Sequence, residues 1–218
     1  MSTTYIVNLK IIKSFFLLNL VLLLFLGCAK DDDNPSTNTA SGTFTDTRDQ
    51  ATYEYVEIGN QIWMTENLAY KASSNCAAYN NNESNIGIYG YLYSWETAQT
   101  VAPDGWHLPT QAEWQTLVDY LGGTGQAYNK LLESGTAHWD SPNTGTNESE
   151  FTALPSGYFD QRDNSFNSLG NLTMFHSTTE YSGNTTSATG LILNPNYKED
   201  LIEGRPKMLW LPIRCIKD

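Results

Sequence analysis

Thr110 and Glu113 stand at the head of an apolar stripe, Trp114, Leu117, Val118 and Leu121, that closes on Gly122-Gly123. The spacing predicts an amphipathic helix specified at both ends. The Thr110 hydroxyl can accept from the Glu113 amide while the Glu113 carboxylate reaches back to the Thr110 amide, a capping box. Gly122 supplies the stop, since the residue past the last turn adopts a left-handed backbone that glycine enters without strain. A helix with one apolar face must bury it, so this segment alone commits the chain to a packed core. A second, shorter helix is expected behind Ser94, where Trp95, Ala98 and Val101 share a face before Pro103 ends the run. Upstream, Tyr53, Tyr55 and Glu57 alternate with Glu54, Val56 and Ile58, and Gly59-Asn60 separates them from Gln61-Ile62-Trp63-Met64. That is a β-hairpin pattern. Residues 71–85, polar and rich in asparagine, read as a long loop that carries Cys76.

The N-terminus reads as an address rather than as structure. Lys10 and Lys13 precede an apolar stretch from Phe15 to Leu26 broken only by Asn19. A bilayer core needs about 20 apolar residues, so a signal segment over 1–27 is the better reading than a retained span. The stretch closes in Leu24-Phe25-Leu26-Gly27-Cys28, which resembles the lipobox of bacterial lipoproteins. There the thiol of Cys28 takes the lipid, and the small residue before it admits the peptidase. Acyl chains hold firmly because each buried methylene contributes about 0.8 kcal/mol. Lys30, Asp31, Asp32 and Asp33 resemble the signal that sends some lipoproteins to the outer face of the outer membrane, with a plain solvated tether as the alternative. Residues 28–50 are expected to be the lipidated cysteine plus a flexible linker, and 51–218 the folded domain.

Charge and cysteines bound the function. The formal net charge is -12, and Lys10 and Lys13 are the only charged residues in the signal segment, so the exported part is still more acidic. Nucleic acid is excluded as a natural partner, because phosphates attract basic surfaces. Beyond the inner membrane disulfides persist, which leads us to expect a bridge between Cys76 and Cys215, with two buried free thiols as the alternative.

Several strings carry a family resemblance: Val56-Glu57-Ile58-Gly59-Asn60-Gln61-Ile62-Trp63-Met64-Thr65-Glu66-Asn67-Leu68, Gly105-Trp106-His107-Leu108-Pro109-Thr110 with Glu113-Trp114, Thr146-Asn147-Glu148-Ser149 leading to Ala153-Leu154-Pro155-Ser156-Gly157-Tyr158, Ser177-Thr178-Thr179-Glu180, and Ile213-Arg214-Cys215. In this order they resemble the Fibrobacter succinogenes major paralogous domain, a family of exported bacterial modules. That family in turn resembles the C-type-lectin-like and formylglycine-generating-enzyme folds. The resemblance implies an α+β, C-type-lectin-like domain with two helices, short twisted antiparallel sheets and long loops. The chain departs from the family pattern between Leu172 and Met208, where Met174-Phe175-His176 stand in place of tryptophans.

The sequence offers little chemistry. The neighbouring cysteine pair of the related enzyme has no counterpart in Cys76 and Cys215, and Asn194-Pro195-Asn196 and Trp139-Asp140 are only fragments of a lectin calcium site. His107, His138 and His176 share no spacing, and Glu113 is explained by its cap. No metal or cofactor is therefore expected, and no catalysis. Aromatic side chains in polar stretches, Tyr79, Trp139, Tyr158, Phe159 and Tyr181, are the candidate ligand platform, since flat apolar faces favour sugars and protein partners. The expected function is a surface-displayed lipoprotein that binds an extracellular glycan or protein, with a structural or assembly role in a surface complex or adhesive fibre as the alternative.

Overall fold

A computed structural model describes residues 40–218. The signal segment, Cys28 and the Lys30-Asp31-Asp32-Asp33 run lie outside the described residues. In chain order the elements are β1 (Ser41–Thr45), β2 (Thr52–Ile58), β3 (Gln61–Met64), β4 (Cys76–Ala77), α1 (Ile86–Tyr89), β5 (Leu92–Tyr93), α2 (Trp95–Ala98), β6 (Trp106–His107), α3 (Gln111–Tyr120) and α4 (Thr124–Leu131). There follow β7 (Ser156–Asp160), β8 (Ser165–Leu169), β9 (Thr173–Tyr181), β10 (Asn184–Leu193), β11 (Ile202–Pro206), β12 (Leu209–Trp210) and β13 (Ile216–Lys217). The mixture is α+β, as expected.

The strands form a five-stranded sheet, β1-β2-β3-β13-β6, a second sheet β11-β10-β9-β7-β12 with β8 on β7, and the small pair β4-β5. β2 and β3 make the expected hairpin, with Ile58 opposite Gln61 across the Gly59-Asn60 turn. β13 inserts beside β3, Ile216 facing Trp63, so the last strand completes the sheet that the first strands began. The sheets are not wholly antiparallel, because β7 runs parallel to β9 at Gly157 and Thr173.

Strand periodicity places two cores on opposite faces of the first sheet. Val56, Ile58 and Trp63 face α3 and α4, where Trp114, Leu117, Val118, Tyr128 and Leu131 join Phe151, Phe175 and Leu191. Tyr53 and Met64 face the other way, onto Leu68, Tyr91, Tyr93, Trp106, Leu108, Ile213 and Cys215. Trp63 and Trp114 stack with centroids 4.6 Å apart.

α3 is built as its sequence predicts. Glu113 donates its amide to Thr110 Oγ1 at 3.2 Å, and the Glu113 carboxylate accepts the Thr110 amide at 2.7 Å. At the other end Gly122, at φ 101°, donates to Asp119 and Gly123 donates to Val118, a Schellman closure. α2 is capped by Ser94, which accepts from Thr97. The expectation of two helices falls short, however. α4 follows α3 directly and buries Ala127, Tyr128 and Leu131. Gly122, Gly123 and Gly125 masked it, because closely spaced glycines read as loop.

Two further expectations are corrected. Residues 40–50 are not tether: β1 pairs with β2 from Ser41 opposite Val56 to Thr45 opposite Thr52. After β1, Arg48 holds Asp46 at 2.6 Å, donates to the Val101 carbonyl at 2.9 Å and lies 3.8 Å over the Tyr70 ring. Residues 41–45 thus belong to the first sheet, and the domain does not begin at residue 51. The bridge between Cys76 and Cys215 is absent, and both are free thiols. They share one apolar cluster from different sheets: Cys76 pairs with Tyr93 in β4-β5 and turns its thiol to the Ala72 carbonyl at 3.5 Å, while Cys215 lies next to β13. Complete burial pushes the Cys215 thiol up to about 12, so it stays protonated and inert.

Candidate functional site

The connection after β3, α1, and the loop between α4 and β7 meet around a cleft of about 480 Å³. One wall comes from the hairpin end and its continuation, Tyr53, Thr65, Glu66, Asn67 and Ala69; the opposite wall is α1 with Ile86, Gly87, Ile88 and Gly90. Thr152, Leu154 and His138 close the third side, and Arg214 forms part of the lining. Ile88 is 45% exposed, an apolar side chain left open to solvent. Gly90 permits this closeness: at φ 70°, a Cβ there would stand 2.6 Å from the Leu68 carbonyl oxygen.

Arg214 organises the wall. Its guanidinium is buried, and all five N–H groups are engaged. Nε and Nη2 donate to Asn67 Oδ1 at 3.1 and 2.9 Å; Nη1 donates to the carbonyls of Met64, at 3.1 Å, and Phe151; Nη2 also donates to the Thr152 carbonyl, at 3.3 Å. The plane lies 4.4 Å from the Phe151 ring centroid. Every one of these acceptors is neutral, so burial pulls the guanidinium down to about 9, against the opposing influence of Glu66.

The loop that Arg214 grips is strained. Asn147, Glu150 and Thr152 have φ of 55°, 58° and 53°. For threonine, with its branched Cβ, the left-handed region is an outlier that costs about 1–2 kcal/mol. The conformation is held by Asn147, whose Oδ1 accepts the Thr152 amide at 2.9 Å and whose Nδ2 donates to the Thr152 hydroxyl at 3.0 Å. Thr152, together with Thr65, also borders a second concavity of about 410 Å³ that carries Glu54 and Glu150. Strain over-determined by its surroundings is characteristic of binding and catalytic loops.

Two titratable groups, Glu66 and His138, line the cleft. Burial raises the Glu66 carboxyl above the usual carboxylate range, and the neighbouring Glu54 carboxylate adds to this; the Glu54 backbone and Arg214 act in the opposite sense. His138 Nδ1 meets Glu133 Oε1 at 2.8 Å, and its ring lies edge-on to Tyr89 at 5.9 Å. The other Glu133 oxygen is buried without a partner. No group of three His, Cys, Asp or Glu side chains suited to a metal ion occurs among the described residues.

The aromatic residues expected to form a platform do not gather here. Tyr79 and Phe159 are buried together, Tyr79 against Phe166 at 5.3 Å and Phe159 against Phe166 and Trp210. Trp139 is buried and donates its indole N–H to the Ala153 carbonyl at 2.9 Å. Tyr158 is half-buried beside Leu209 and Met174. Tyr181 alone is open, 46% exposed at the end of β9, and none of the five lines the cleft. Polar neighbours in the sequence suggested exposure, but these rings fill gaps under long loops. The residues that do line the cleft were visible in part: Glu66, Asn67 and Arg214 belong to the recurring strings, whereas Ile88 and His138 carried no signal.

Residues 56–217 match the family model of the Fibrobacter succinogenes major domain. No curated protein and no solved structure matches the chain.

Proposed function

We propose that this chain, which belongs to the Fibrobacter succinogenes major domain family, is a lipid-anchored lipoprotein of the outer membrane, displayed at the cell surface, whose lectin-like domain binds an extracellular glycan or protein segment in the cleft without catalysis. The cleft carries the reading. Its volume falls in the range of ligand sites, roughly 300–1,000 Å³, and it combines an apolar wall with a few converging polar groups, the usual composition of such sites. The strained loop at its edge and the Glu66 and His138 side chains in its lining support the same conclusion.

The cleft holds one imidazole, that of His138. Its carboxylate partner orients the ring as in acid-base sites, yet no serine or cysteine hydrogen-bonds to it among the described residues. Ser156, which meets the Asn67 amide at 3.4 Å, is engaged with Thr173 at 2.9 Å. The anchor rests on Cys28 and the apolar run before it, and surface display on Lys30-Asp31-Asp32-Asp33. Among the described residues no helix is long and apolar enough to cross a membrane. The lectin-like assignment is supported by the α+β mixture with long connections and by β13 closing the first sheet. An assembly role is the second reading, favoured by the edge of β1, which among the described residues has a neighbour on one side only.

Glycan and peptide arrays probed with the full chain test the reading, with Gly87→Trp as the blocking variant. Gly87 lines the cleft, and a Cβ there meets nothing within 4 Å, so an indole is accommodated at the cleft wall without a clash with the fold. Ligands retained by the parent and lost by Gly87→Trp are expected. Ligands retained equally by both would move the site elsewhere, and no ligand alongside a stable co-purifying protein would favour assembly.

A further inference from the structure

Three polar side chains at the cleft, Arg214, Asn67 and Thr152, have used their hydrogen-bond donors internally. All five Arg214 N–H groups are engaged with protein oxygens. The Asn67 amide donates to the Tyr89 carbonyl at 2.9 Å and to Ser156 Oγ at 3.4 Å. The Thr152 hydroxyl is shared among Asn147 Oδ1, Asn147 Nδ2 and the Glu150 carbonyl. Beside them stand two acceptors, Glu66 and His138. The Glu66 carboxylate meets the Glu54 backbone and has no side-chain hydrogen-bond partner among the described residues. His138 uses Nδ1 on Glu133, and its Nε2 has no hydrogen-bond partner among the described residues.

Charge points the same way. Glu66 lies in the cleft, and Glu54 and Glu150 line the adjoining concavity beyond the Thr65 and Thr152 border. Arg214 supplies the opposing positive charge, but from beneath the surface and with its donors engaged. A ligand that fits such a site brings N–H donors and positive charge on one side and an apolar group on the other, for Ile86, Ile88, Ala69 and Leu154. A neutral sugar satisfies the acceptors but leaves the charge unmatched.

We propose that the cleft binds a basic peptide segment, with a lysine or arginine side chain directed to the Glu66 carboxylate and a flanking aliphatic side chain on Ile88. This rests on the cleft being the ligand site, and it names the ligand class. The ammonium or guanidinium also pairs with the Glu66 charge, which a neutral ligand leaves unpaired.

Fluorescence anisotropy on the full chain in mild detergent tests this. The probe is a labelled, N-acetylated Gly-Leu-Lys-Leu-Gly peptide, compared with the same peptide carrying norleucine for lysine. The lysine peptide is expected to bind roughly tenfold tighter, the effect of one charge-assisted hydrogen bond. Glu66→Gln is expected to remove most of that ratio, and Gly87→Trp to abolish binding of both peptides. Equal affinity for the two peptides, or an unchanged ratio in Glu66→Gln, overturns the basic-peptide assignment while leaving the cleft intact as a site. The assignment also falls, and the cleft stands, if a neutral glycan binds, is blocked by Gly87→Trp, and neither peptide does. Peptide binding that Gly87→Trp leaves unchanged overturns both the assignment and the cleft.

Discussion

Replacing Arg214 by lysine keeps the charge and removes the fork, which makes it a sharp test of how the cleft wall is held. The guanidinium presents five N–H groups in one plane, and here all are matched to Asn67 Oδ1 and the Met64, Phe151 and Thr152 carbonyls. An ammonium has three N–H groups on a single atom and cannot reach all four oxygens from one position. Each buried acceptor left without a partner costs about 1–3 kcal/mol, and weakened stacking on Phe151, 4.4 Å away, adds roughly 0.5–1 kcal/mol. The expected loss for Arg214→Lys is therefore about 3–5 kcal/mol. Arg214→Met leaves all four oxygens bare and is expected to lose at least as much, with relief of the buried charge's desolvation offsetting part of the added cost. Urea unfolding at pH 7 measures it, as a lower midpoint with an unchanged slope. A change below about 1 kcal/mol in both variants would show that the oxygens find other partners, and would refute the assignment of Arg214 as the organiser of the 147–152 loop.

Other predictions concern the core, the helix start, pH and the thiols. Leu117→Ala, at a fully buried position on α3, is expected to cost about 2–5 kcal/mol in the same unfolding assay. Thr110→Ala removes the capping box and is expected to cost about 1–2 kcal/mol; a loss below about 0.3 kcal/mol would mean that water replaces the cap. His176 is buried and donates from Nε2 to the Tyr93 carbonyl at 3.0 Å, and burial lowers its pKa to about 4. The unfolded chain, with an ordinary histidine near pH 6.5, binds the proton first, so this group's contribution to stability is present above about 6.5 and is lost as pH falls towards 4. The loss is roughly 3 kcal/mol, read as unfolding midpoints against pH, and His176→Gln is expected to flatten that slope. Cys76 and Cys215 are expected to titrate as free thiols in denatured, unreduced protein, with Cys215 unreactive in the native state; finding neither thiol would contradict the structure.

What was legible in the sequence follows from how local the determinants are. α3 and the β2-β3 hairpin were readable because their caps, turn and periodicity lie within a dozen residues. α4 was hidden because glycines at its start outweighed the Ala127, Tyr128 and Leu131 stripe. β1 was hidden because Ser41-Gly42-Thr43-Phe44-Thr45 has one large apolar residue and owes its strand to pairing with β2. The cleft was illegible for a related reason: Glu66, Ile88, Thr152 and Arg214 are scattered over nearly 150 positions and meet only through the packing of β3, α1 and the loop before β7. The strings containing Glu66 and Arg214 were recognisable, but nothing local indicated that a buried guanidinium would bind one wall to the other.

The central claim is that a ligand sits in the cleft. Hydrogen exchange of the full chain, with and without a ligand recovered from the arrays, tests it most directly. Protection is expected at residues 64–69, 86–90 and 150–154, with the β9-β10 tip around Tyr181 unchanged. Protection at that tip, with the cleft segments exchanging as before, would contradict the claim.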